Sequence, residues 1–323
     1  MQYLLYTLIL LIVLNLYFRV ANHFNIIDKP NTRSSHKSVV LRGGGIIFPL
    51  GITLWFIFIG FEYPWFFSGL MLISFVSFLD DLWHVAFWIR LLIHITAIFL
   101  LLIQLESTPW PWWLWALTLF TATGIINAFN FMDGINGITA GYSISALTGL
   151  WIVNNYQVSF VQNDLLYAAG LAVALFGFFN FRLRARCFAG DVGAVSISFI
   201  LVFLLVKLIL SSGNLIYMMF LIVYGIDTSL TIVFRLRRHE NIFEAHRRHL
   251  YQLMTNESGI SHIKVSSGYA IVQLMINLVI IASINRLSYI WTMFISSGII
   301  IILSIFYMLA KRKLGVDFVI RKS

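Results

Sequence analysis

Charged residues are scarce in this sequence. They make up 11% of its 323 residues, whereas hydrophobic residues make up 60%, and the mean hydropathy is +0.88. A soluble domain of this length could not bury so much apolar surface. The scarcity of charge therefore excludes an ordinary soluble protein and predicts an integral membrane protein.

Other features are missing as well. The single cysteine, Cys187, excludes a disulfide within the chain, and nothing around it indicates a thiolate metal site. The alternation of aromatic and β-branched residues that marks a membrane β-barrel is absent, so the spanning segments are expected to be helices. No repeat, linker or low-complexity tract divides the sequence, and residues 1–323 are expected to form one membrane-embedded domain.

What the sequence does contain is a series of long apolar windows. A spanning helix needs about 20 apolar residues, and we predict an all-α, polytopic membrane protein with about 11 transmembrane helices. The windows are 2–20, 43–61, 65–80, 88–105, 110–127, 138–153, 164–181, 193–211, 214–234, 265–284 and 288–310. The first has no positive residue before it and no cleavage pattern after it, so a retained helix is expected rather than a signal peptide.

The positive charges predict the orientation. All but two of the 22 lysine and arginine residues, Lys207 and Arg286, fall on one predicted side of the membrane. Because cytoplasmic loops retain positive residues, the N-terminus is expected outside and the C-terminus in the cytoplasm, which requires an odd number of spans. The net charge of +9 is explained by this bias and by attraction to anionic lipid, so no nucleic-acid partner is expected.

Only 13 residues are acidic, and their positions carry the functional argument. Asp80 and Asp81 end the third window at the predicted cytoplasmic face, where the helix dipole and mutual repulsion disfavour two carboxylates. A divalent cation, or a proton shared with a substrate, would offset that cost. The alternative is that both carboxylates face interfacial water.

The stretch NAFNFMDGINGITAG, residues 127–141, places amides, glycines and one carboxylate, Asp133, between two apolar windows. On a continuous helix, five of its residues would share one face: Asn127, Asn130, Gly134, Gly137 and Gly141. The Asp-Gly and Asn-Gly pairs also allow a helix to end in a turn. In both cases the backbone can approach a bulky ligand; the alternative is a small-residue packing face with polar side chains.

Two further segments carry charge next to glycine. Asp191 in GDVGAVS precedes a helix, whose N-terminus it could cap. The loop DKPNTRSSHKSVVLRGGGI, residues 28–46, contains Lys37 and Arg42 and ends in three glycines. A basic, hydroxyl-rich loop that ends in glycine suits phosphate.

The loop RLRRHENIFEAHRRHLYQ, residues 235–252, clusters His246, Arg248 and His249. It lacks an HExxH arrangement and a third soft ligand, so zinc is disfavoured, and phosphate contact or interfacial charge stay open. Asp227 lies inside the preceding window, where an ionisable side chain is costly and indicates a functional or helix-pairing role.

Carboxylates and cationic groups thus converge on one membrane face. Carboxylates bind Mg²⁺, and cations together with Mg²⁺ bind diphosphate, which predicts phosphoryl chemistry between a soluble diphosphate and a lipid. The rival class is a transporter or flippase of an anionic lipid or nucleotide sugar. Such proteins place charges near the membrane midplane within internal repeats, whereas here the acids gather at one face, with Asp227 the exception.

These motifs, in this order, resemble the polyprenyl-phosphate N-acetylhexosamine-1-phosphate transferases, a family that includes the phospho-N-acetylmuramoyl-pentapeptide transferases. The motifs are the aspartate pair at 80–81, the stretch at 127–141, GDVGAVS at 190–196 and AHRRHLYQ at 245–252, preceded by the loop at 28–46. The sequence looks closest to the bacterial branch that starts O-antigen, capsule or other cell-envelope polysaccharides. The short chain and AHRRHLYQ argue against the pentapeptide transferase, which stays the alternative within the family.

The resemblance implies a phosphotransferase in the bacterial inner (plasma) membrane, with its active site at the cytoplasmic face. It would use Mg²⁺, or Mn²⁺ in its place, to transfer a sugar-1-phosphate from a UDP-N-acetylhexosamine to undecaprenyl phosphate. The products would be a diphosphate-linked lipid and UMP. Its partners would be these two substrates and membrane lipid, and a homodimer is an open alternative.

The resemblance also implies residue roles, and the catalytic set would be Asp80, Asp81, Asp133, Asp191 and His249. Asp80 would deprotonate or orient the lipid phosphate with the support of Asp81. Asp191 would ligate Mg²⁺, and Asp81 is the second candidate metal ligand. His249, together with Arg248 or His246, would contact the diphosphate.

The remaining substrate contacts follow from the same comparison. The nucleotide site would be lined by Asn127, Asn130, Asn136 and Asp133, Phe188 would stack on uracil, and the basic residues Lys37 and Arg42 would contact phosphate. Asn136 stands where many family members have Asp in a DGxDG pattern, which weakens any metal or base role there. We therefore expect Asn136→Asp to leave activity largely intact.

Overall fold

The computed structural model describes residues 2–29, 39–106, 110–241 and 247–315, and most of these residues are helical. The helices are α1 (Gln2–His23), α2 (Ile47–Phe58), α3 (Pro64–Leu82), α4 (Phe87–Gln104), α5 (Trp112–Met132), α6 (Ile138–Tyr156), α7 (Asn163–Asn180), α8 (Gly190–Ser212), α9 (Ile222–Arg237), α10 (Leu250–Asn256), α11 (His262–Arg286) and α12 (Tyr289–Lys313). Two short strands, β1 (Ile27–Asp28) and β2 (Val40–Leu41), pair antiparallel with Ile27 opposite Leu41.

This architecture confirms the predicted all-α, polytopic membrane class. In the described part of the chain, nine helical segments are long and apolar enough to cross a membrane, including Leu215–Arg237, in which a 3₁₀ segment runs into α9. The segment Gly44–Phe58 is apolar but shorter. Each of the eleven predicted windows falls on a helical segment. The count of eleven spans and the sides on which the termini lie stay predictions.

The core is built around α8, which is apolar on every side and accordingly lies in the interior. Its side chains are buried almost without interruption from Val192 to Leu205. At its first turn, the backbones of Gly45 and Gly193 touch so closely that a Cβ on either glycine would overlap the other residue. Small residues of this kind let membrane segments approach, and here they hold the turn after Arg42 against the start of α8.

The stretch 127–141 is divided between two helices. α5 ends at Met132, residues 133–137 form a turn, and α6 begins at Ile138. Of the two arrangements that the sequence allows, the structure shows the helix end that opens into a turn, so the five positions do not share one helical face. Gly137 makes the turn: its φ is +85°, and a Cβ there would overlap the ring of Phe181.

Candidate active site

Asp81 lies at the end of α3 and faces the first turn of α8. Its Oδ1 accepts a hydrogen bond from the backbone N–H of Asp191 at 2.9 Å, and its Oδ2 accepts one from Val192 at 3.1 Å. Arg42 approaches from the turn after β2, with Nε 2.6 Å from Oδ1. The N-terminal dipole of α8 and the Arg42 charge together offset the cost of a carboxylate at the end of α3.

This contact requires a glycine at position 190. Gly190 has a φ of +72°, and a Cβ on it would lie 2.5 Å from Oδ2 of Asp81. The glycine therefore both makes the bend into α8 and leaves room for the carboxylate of α3.

Asp80 is held by a different pair of groups. Its Oδ1 accepts a hydrogen bond from the backbone N–H of Val85 at 2.7 Å, and Arg90 on α4 donates to Oδ2 through Nη1. Sequence reasoning counted Arg90 only as one of the charges that set the orientation. Its position in the first turn of the span after the aspartate pair, on the same predicted face, was the signal available for its role.

Asp191 is the most open carboxylate of the group, because its side chain is 23% exposed, against 6% for Asp80 and 0% for Asp81. Arg42 Nη2 lies 3.6 Å from its Oδ1, and Arg90 Nη1 lies 3.8 Å from its Oδ2. Both separations exceed hydrogen-bond length, so Asp191 is shared loosely between the two arginines. Asp191 does not cap its own helix: the N-cap is Ala189, and Asp81 supplies the cap from α3.

Three carboxylates and two guanidinium groups thus form one cluster. Burial lowers the pKa of Arg42, but the neighbouring Asp81 and Asp191 carboxylates outweigh it and raise that pKa above its ordinary value. Arg42 therefore stays cationic. The cluster holds three carboxyl groups but only two guanidinium groups among the described residues, and Asp191 is the carboxyl that lacks an arginine within hydrogen-bond distance.

The turn after α5 brings a fourth carboxylate to this end of the molecule. Asp133 follows the last residue of α5, and its Oδ1 accepts a hydrogen bond from Thr139 at 2.5 Å. Burial raises the pKa of Asp133 to about 6, although the Thr139 hydrogen bond opposes the rise. Asn130, one turn earlier and half-buried, has no side-chain partner among the described residues, whereas Asn127 donates back to Thr123 of its own helix at 3.0 Å.

Asn136 has a packing role in the structure. Its side chain is buried, and Nδ2 donates to the carbonyl oxygens of Arg182 at 2.9 Å and Leu183 at 3.3 Å. Asn180, which sequence reasoning missed, holds the same turn from α7: its Oδ1 accepts from Gly137 N–H at 2.7 Å, and its Nδ2 donates to the Cys187 carbonyl at 2.8 Å. Both amides fasten the turn to the segment that leads into α8.

Phe188 lies in that segment, three residues before Asp191. Its backbone N–H donates to the Leu41 carbonyl and its carbonyl accepts from Gly44 N–H, both at 2.8 Å. The ring is half-buried beside the entry to α8. The backbone of the glycine turn at 43–45 is therefore hydrogen-bonded to the segment that carries Phe188. The role of Phe188 in stacking on uracil stays a prediction.

His249 is the N-cap residue of α10 and is buried. Its Nδ1 lies 3.2 Å from Oδ1 of Asp227, and its ring is stacked 5.9 Å from that of Tyr251. Arg248 Nη1 lies 2.8 Å from Glu240 Oε1. The predicted phosphate contacts Lys37 and His246 lie outside the described residues.

No group of three or more His, Cys, Asp or Glu side chains in the described ranges is arranged to hold a metal ion. Mg²⁺ does not need such a group, because it commonly binds one or two carboxylates together with substrate phosphates and water. Asp191 fits this mode through its exposure and its long contacts with the arginines. Both oxygens of Asp81 are already engaged, so its part as a metal ligand stays a prediction.

Known proteins resemble this chain over most of its length. Residues 63–209, from the residue before α3 to near the end of α8, match the family model described as glycosyl transferase family 4. The undecaprenyl-phosphate α-N-acetylglucosaminyl 1-phosphate transferase of Yersinia pestis is 26% identical over 73% of this chain and 71% of its own length. Its namesake in Escherichia coli strain K12 is 24% identical, with the same two coverages.

A further relative carries a similar name. A probable undecaprenyl-phosphate N-acetylglucosaminyl 1-phosphate transferase of Bacillus subtilis strain 168 is 25% identical over 79% of this chain and 76% of its own length. The names of these relatives describe phosphotransferases, as the motifs predict. The resemblance is therefore confirmed: the chain is similar over most of its length to proteins named as undecaprenyl-phosphate N-acetylglucosaminyl 1-phosphate transferases, and its residues 63–209 match the model of glycosyl transferase family 4.

Proposed function

We propose that this protein transfers an N-acetylhexosamine-1-phosphate from a UDP-sugar to undecaprenyl phosphate and releases UMP. The observation that carries the proposal is the cluster in which Arg42 and Arg90 bridge Asp80, Asp81 and Asp191 at the ends of α3 and α8. The relatives support the acceptor and the class of sugar through their names. The UDP-linked donor is our extension.

The reaction joins two anions, and the cluster can lower their repulsion. An oxygen of the acceptor phosphate attacks the phosphorus that carries the sugar, a new P–O bond forms, and the bond to the UMP oxygen breaks. Arginine groups bind phosphate oxygens in the same way that they bind carboxylates. Arg42 and Arg90, both about a third exposed, are placed to exchange their carboxylate partners for phosphate oxygens when the substrates arrive.

Mg²⁺, with Mn²⁺ as the alternative, would be held by Asp191, and when bound it neutralises charge on the transferring phosphoryl group. The chain's own residues then orient the substrates. We assign Asp80 to the lipid phosphate, Asp133 and Asn130 to the nucleotide sugar, and His249 to the diphosphate. Direct attack needs no covalent enzyme intermediate, and we favour it over an aspartyl phosphate at Asp80 or Asp81.

The proposal also implies where the protein is located in the cell. We infer a multi-pass protein of the bacterial inner membrane whose active site faces the cytoplasm and which starts O-antigen, capsule or another cell-envelope polysaccharide. The bias of positive residues toward one predicted side supports the orientation. A cytoplasmic site is also where a nucleotide sugar is available as donor.

The test is a UMP-release assay with purified full-length protein. The protein would be incubated with undecaprenyl phosphate, Mg²⁺ and, one at a time, UDP-N-acetylglucosamine, UDP-N-acetylgalactosamine, UDP-linked amino-sugar analogues and UDP-N-acetylmuramoyl-pentapeptide. We expect UMP release with at least one N-acetylhexosamine donor, dependent on lipid acceptor and divalent cation. Release with the pentapeptide donor alone would move the protein to the other branch, and UMP formed without acceptor would contradict direct attack.

A further inference from the structure

A second cluster of buried polar side chains includes His249 and shares no residue with the arginine-bridged carboxylates. It consists of Asp227, Thr231, His249, Tyr269, Tyr307 and Lys311, each no more than 9% exposed. These residues come from α9, from the residue before α10, from α11 and from α12. Buried polar groups at this density need a reason, because burying them is costly unless every group is satisfied.

Asp227 is the centre of this cluster. Its Oδ1 accepts from the Leu250 backbone N–H at 3.0 Å, from His249 Nδ1 at 3.2 Å and from the Thr231 hydroxyl at 3.3 Å. Its Oδ2 accepts from the Tyr269 hydroxyl at 2.6 Å. One carboxylate therefore holds both the imidazole ring of residue 249 and the backbone immediately after it.

Lys311 supplies the opposite charge from the last turn of α12. It is fully buried, and its ammonium donates to Oγ1 of Thr231 at 3.1 Å. The same ammonium lies 4.6 Å from the centre of the Tyr307 ring and 5.4 Å from that of Phe234, within the range of a cation–π contact. The same Thr231 hydroxyl also contacts the carboxylate of Asp227, at 3.3 Å.

Thr231 connects the two charges. Because it gives its own hydroxyl hydrogen to Asp227, its oxygen accepts from Lys311 and from Tyr307, whose hydroxyl lies 2.5 Å away. The hydrogen-bonded path thus runs from Lys311 through Thr231 and Asp227 to His249. A carboxylate acceptor at Nδ1 places a hydrogen on that nitrogen and fixes the plane of the ring.

We propose that Asp227 and Lys311, two buried groups of opposite charge joined through Thr231, position His249 for its contact with the diphosphate. The proposal rests on the proposed function, and it makes Asp227 and Lys311 positioning residues that reach the substrate only through His249. Lys311 acts on Asp227 through Thr231, and Asp227 fixes the ring. Helix α12 lies at the edge of the bundle, with 11% of its span buried. Through Lys311 it nevertheless contributes to the position of His249.

The kinetic test uses neutral variants of nearly unchanged shape. Asp227→Asn can still accept from Leu250 and contact Tyr269, so we expect it to fold and to lower kcat about 10- to 100-fold, by analogy with the loss of a carboxylate partner from a metal-bound histidine, with little change in KM for undecaprenyl phosphate. Lys311→Met should show a smaller loss in the same direction. The matched control is Lys313→Met, because Lys313 is exposed on the same turn of α12, and it should retain wild-type turnover.

A double variant separates positioning from packing. Asp227→Asn combined with Lys311→Met removes both charges, so no uncompensated charge stays buried and the thermal stability lost in the single variants should return. If the pair positions His249, kcat stays low in the double variant. Return of both stability and turnover would overturn the proposal and leave the pair as a contact that only holds α9 to α12.

A spectroscopic test follows the protonation of the His249 ring and does not require turnover. In ¹⁵N-histidine-labelled full-length protein, with the His249 signals assigned by their loss in His249→Gln, we expect a protonated Nδ1 that changes in Asp227→Asn and in Thr231→Val but not in Lys313→Met. Unchanged His249 signals in Asp227→Asn would refute the proposal. If the wild-type protein releases no UMP with any donor, the proposed function fails, but the His249 signals still show whether Asp227 holds the ring. If Asp227→Asn does not fold, the His249 signals of Thr231→Val answer the same question.

Discussion

The carboxylate of Asp81, on α3, closes the first turn of α8 by accepting the backbone N–H of Val192 at 3.1 Å. It is a helix cap supplied by another helix, and it gives the two adjacent aspartates different surroundings. Asp81 is saturated by backbone and Arg42, whereas Asp80 is held by Arg90 and the backbone of Val85. The two aspartates of the pair are thus held by different groups: Asp81 by the start of α8 and Arg42, and Asp80 by Arg90 and the backbone of Val85.

We expect Asp81→Asn and Asp191→Asn to fail in different ways. Asp81→Asn leaves Arg42 without its closest carboxylate and weakens the cap, and breaking such a buried pair costs about 3–5 kcal/mol, so the thermal midpoint in detergent should fall. Asp191→Asn should keep the wild-type midpoint but lose Mg²⁺-dependent UMP release. A stable Asp81→Asn, or normal turnover in Asp191→Asn, would contradict this division.

Gly190→Ala should destabilise the protein because the new Cβ would meet Asp81 Oδ2 at 2.5 Å in a backbone of positive φ. The matched control is Gly213→Ala at the end of α8, where φ is +66° and no atom lies within 4 Å of the added Cβ. Backbone strain is common to both substitutions, so the difference between their thermal midpoints isolates the clash with Asp81. Equal midpoints would mean that Asp81 and α3 can move away from the added Cβ without a loss of stability.

Arg90→Gln should lower kcat/KM for the UDP-sugar by about 100-fold, because about 3 kcal/mol of charge stabilisation is typical when one such donor is lost. Arg90→Lys keeps the charge without the forked geometry and should recover part of the loss. Arg286→Gln is the control, since Arg286 is exposed at the last turn of α11. Wild-type kinetics in Arg90→Gln would remove Arg90 from the site.

Asn136→Asp is expected to be harmful, and the structure here revises the expectation drawn from the family pattern. The Asn136 amide donates to the carbonyl oxygens of Arg182 and Leu183. A carboxylate would instead turn an acceptor toward those carbonyls in a buried place, with a typical cost of about 1–3 kcal/mol. A fall in thermal midpoint together with activity would support this, whereas full stability and activity would restore the original expectation.

The stability of the protein should depend on the pH through Asp133. Its pKa rises from an ordinary 3.8 to about 6, so the folded state binds a proton more tightly than the unfolded state. The contribution is present below about pH 4 and is lost as pH rises through 6, and it amounts to about 3 kcal/mol. Asp133→Asn should therefore flatten the thermal midpoint between pH 4 and 7 and raise it at pH 7. An unchanged pH dependence would show that burial does not raise the pKa of Asp133. A loss of turnover in the same variant would show that this destabilising carboxyl also has a function.

The membrane class, the approximate places of the helices and the residue types of the site could be read from the sequence because each depends on local composition. A window near 20 apolar residues has few alternatives in a bilayer. The aspartate pair stood out for a related reason, since two carboxylates at a helix end carry a local cost that demands an explanation. The motif order added the resemblance to the polyprenyl-phosphate sugar-1-phosphate transferases, and the comparisons confirm that resemblance.

The partners of those residues could not be predicted, because they lie far apart in the chain and meet only when the helices pack. In the sequence, Arg90 is one of the positive charges that predict the orientation, whereas in the structure α4 places it against Asp80. Asn136 is a predicted ligand contact, and the structure buries it against residues 182 and 183. Lys311 looked like one positive charge of the tail until α12 carried it into contact with Thr231. The sequence by itself determined the membrane class and which chemical groups are present; the tertiary structure decided which charges compensate each other, because that depends on distance and burial rather than on position in the chain.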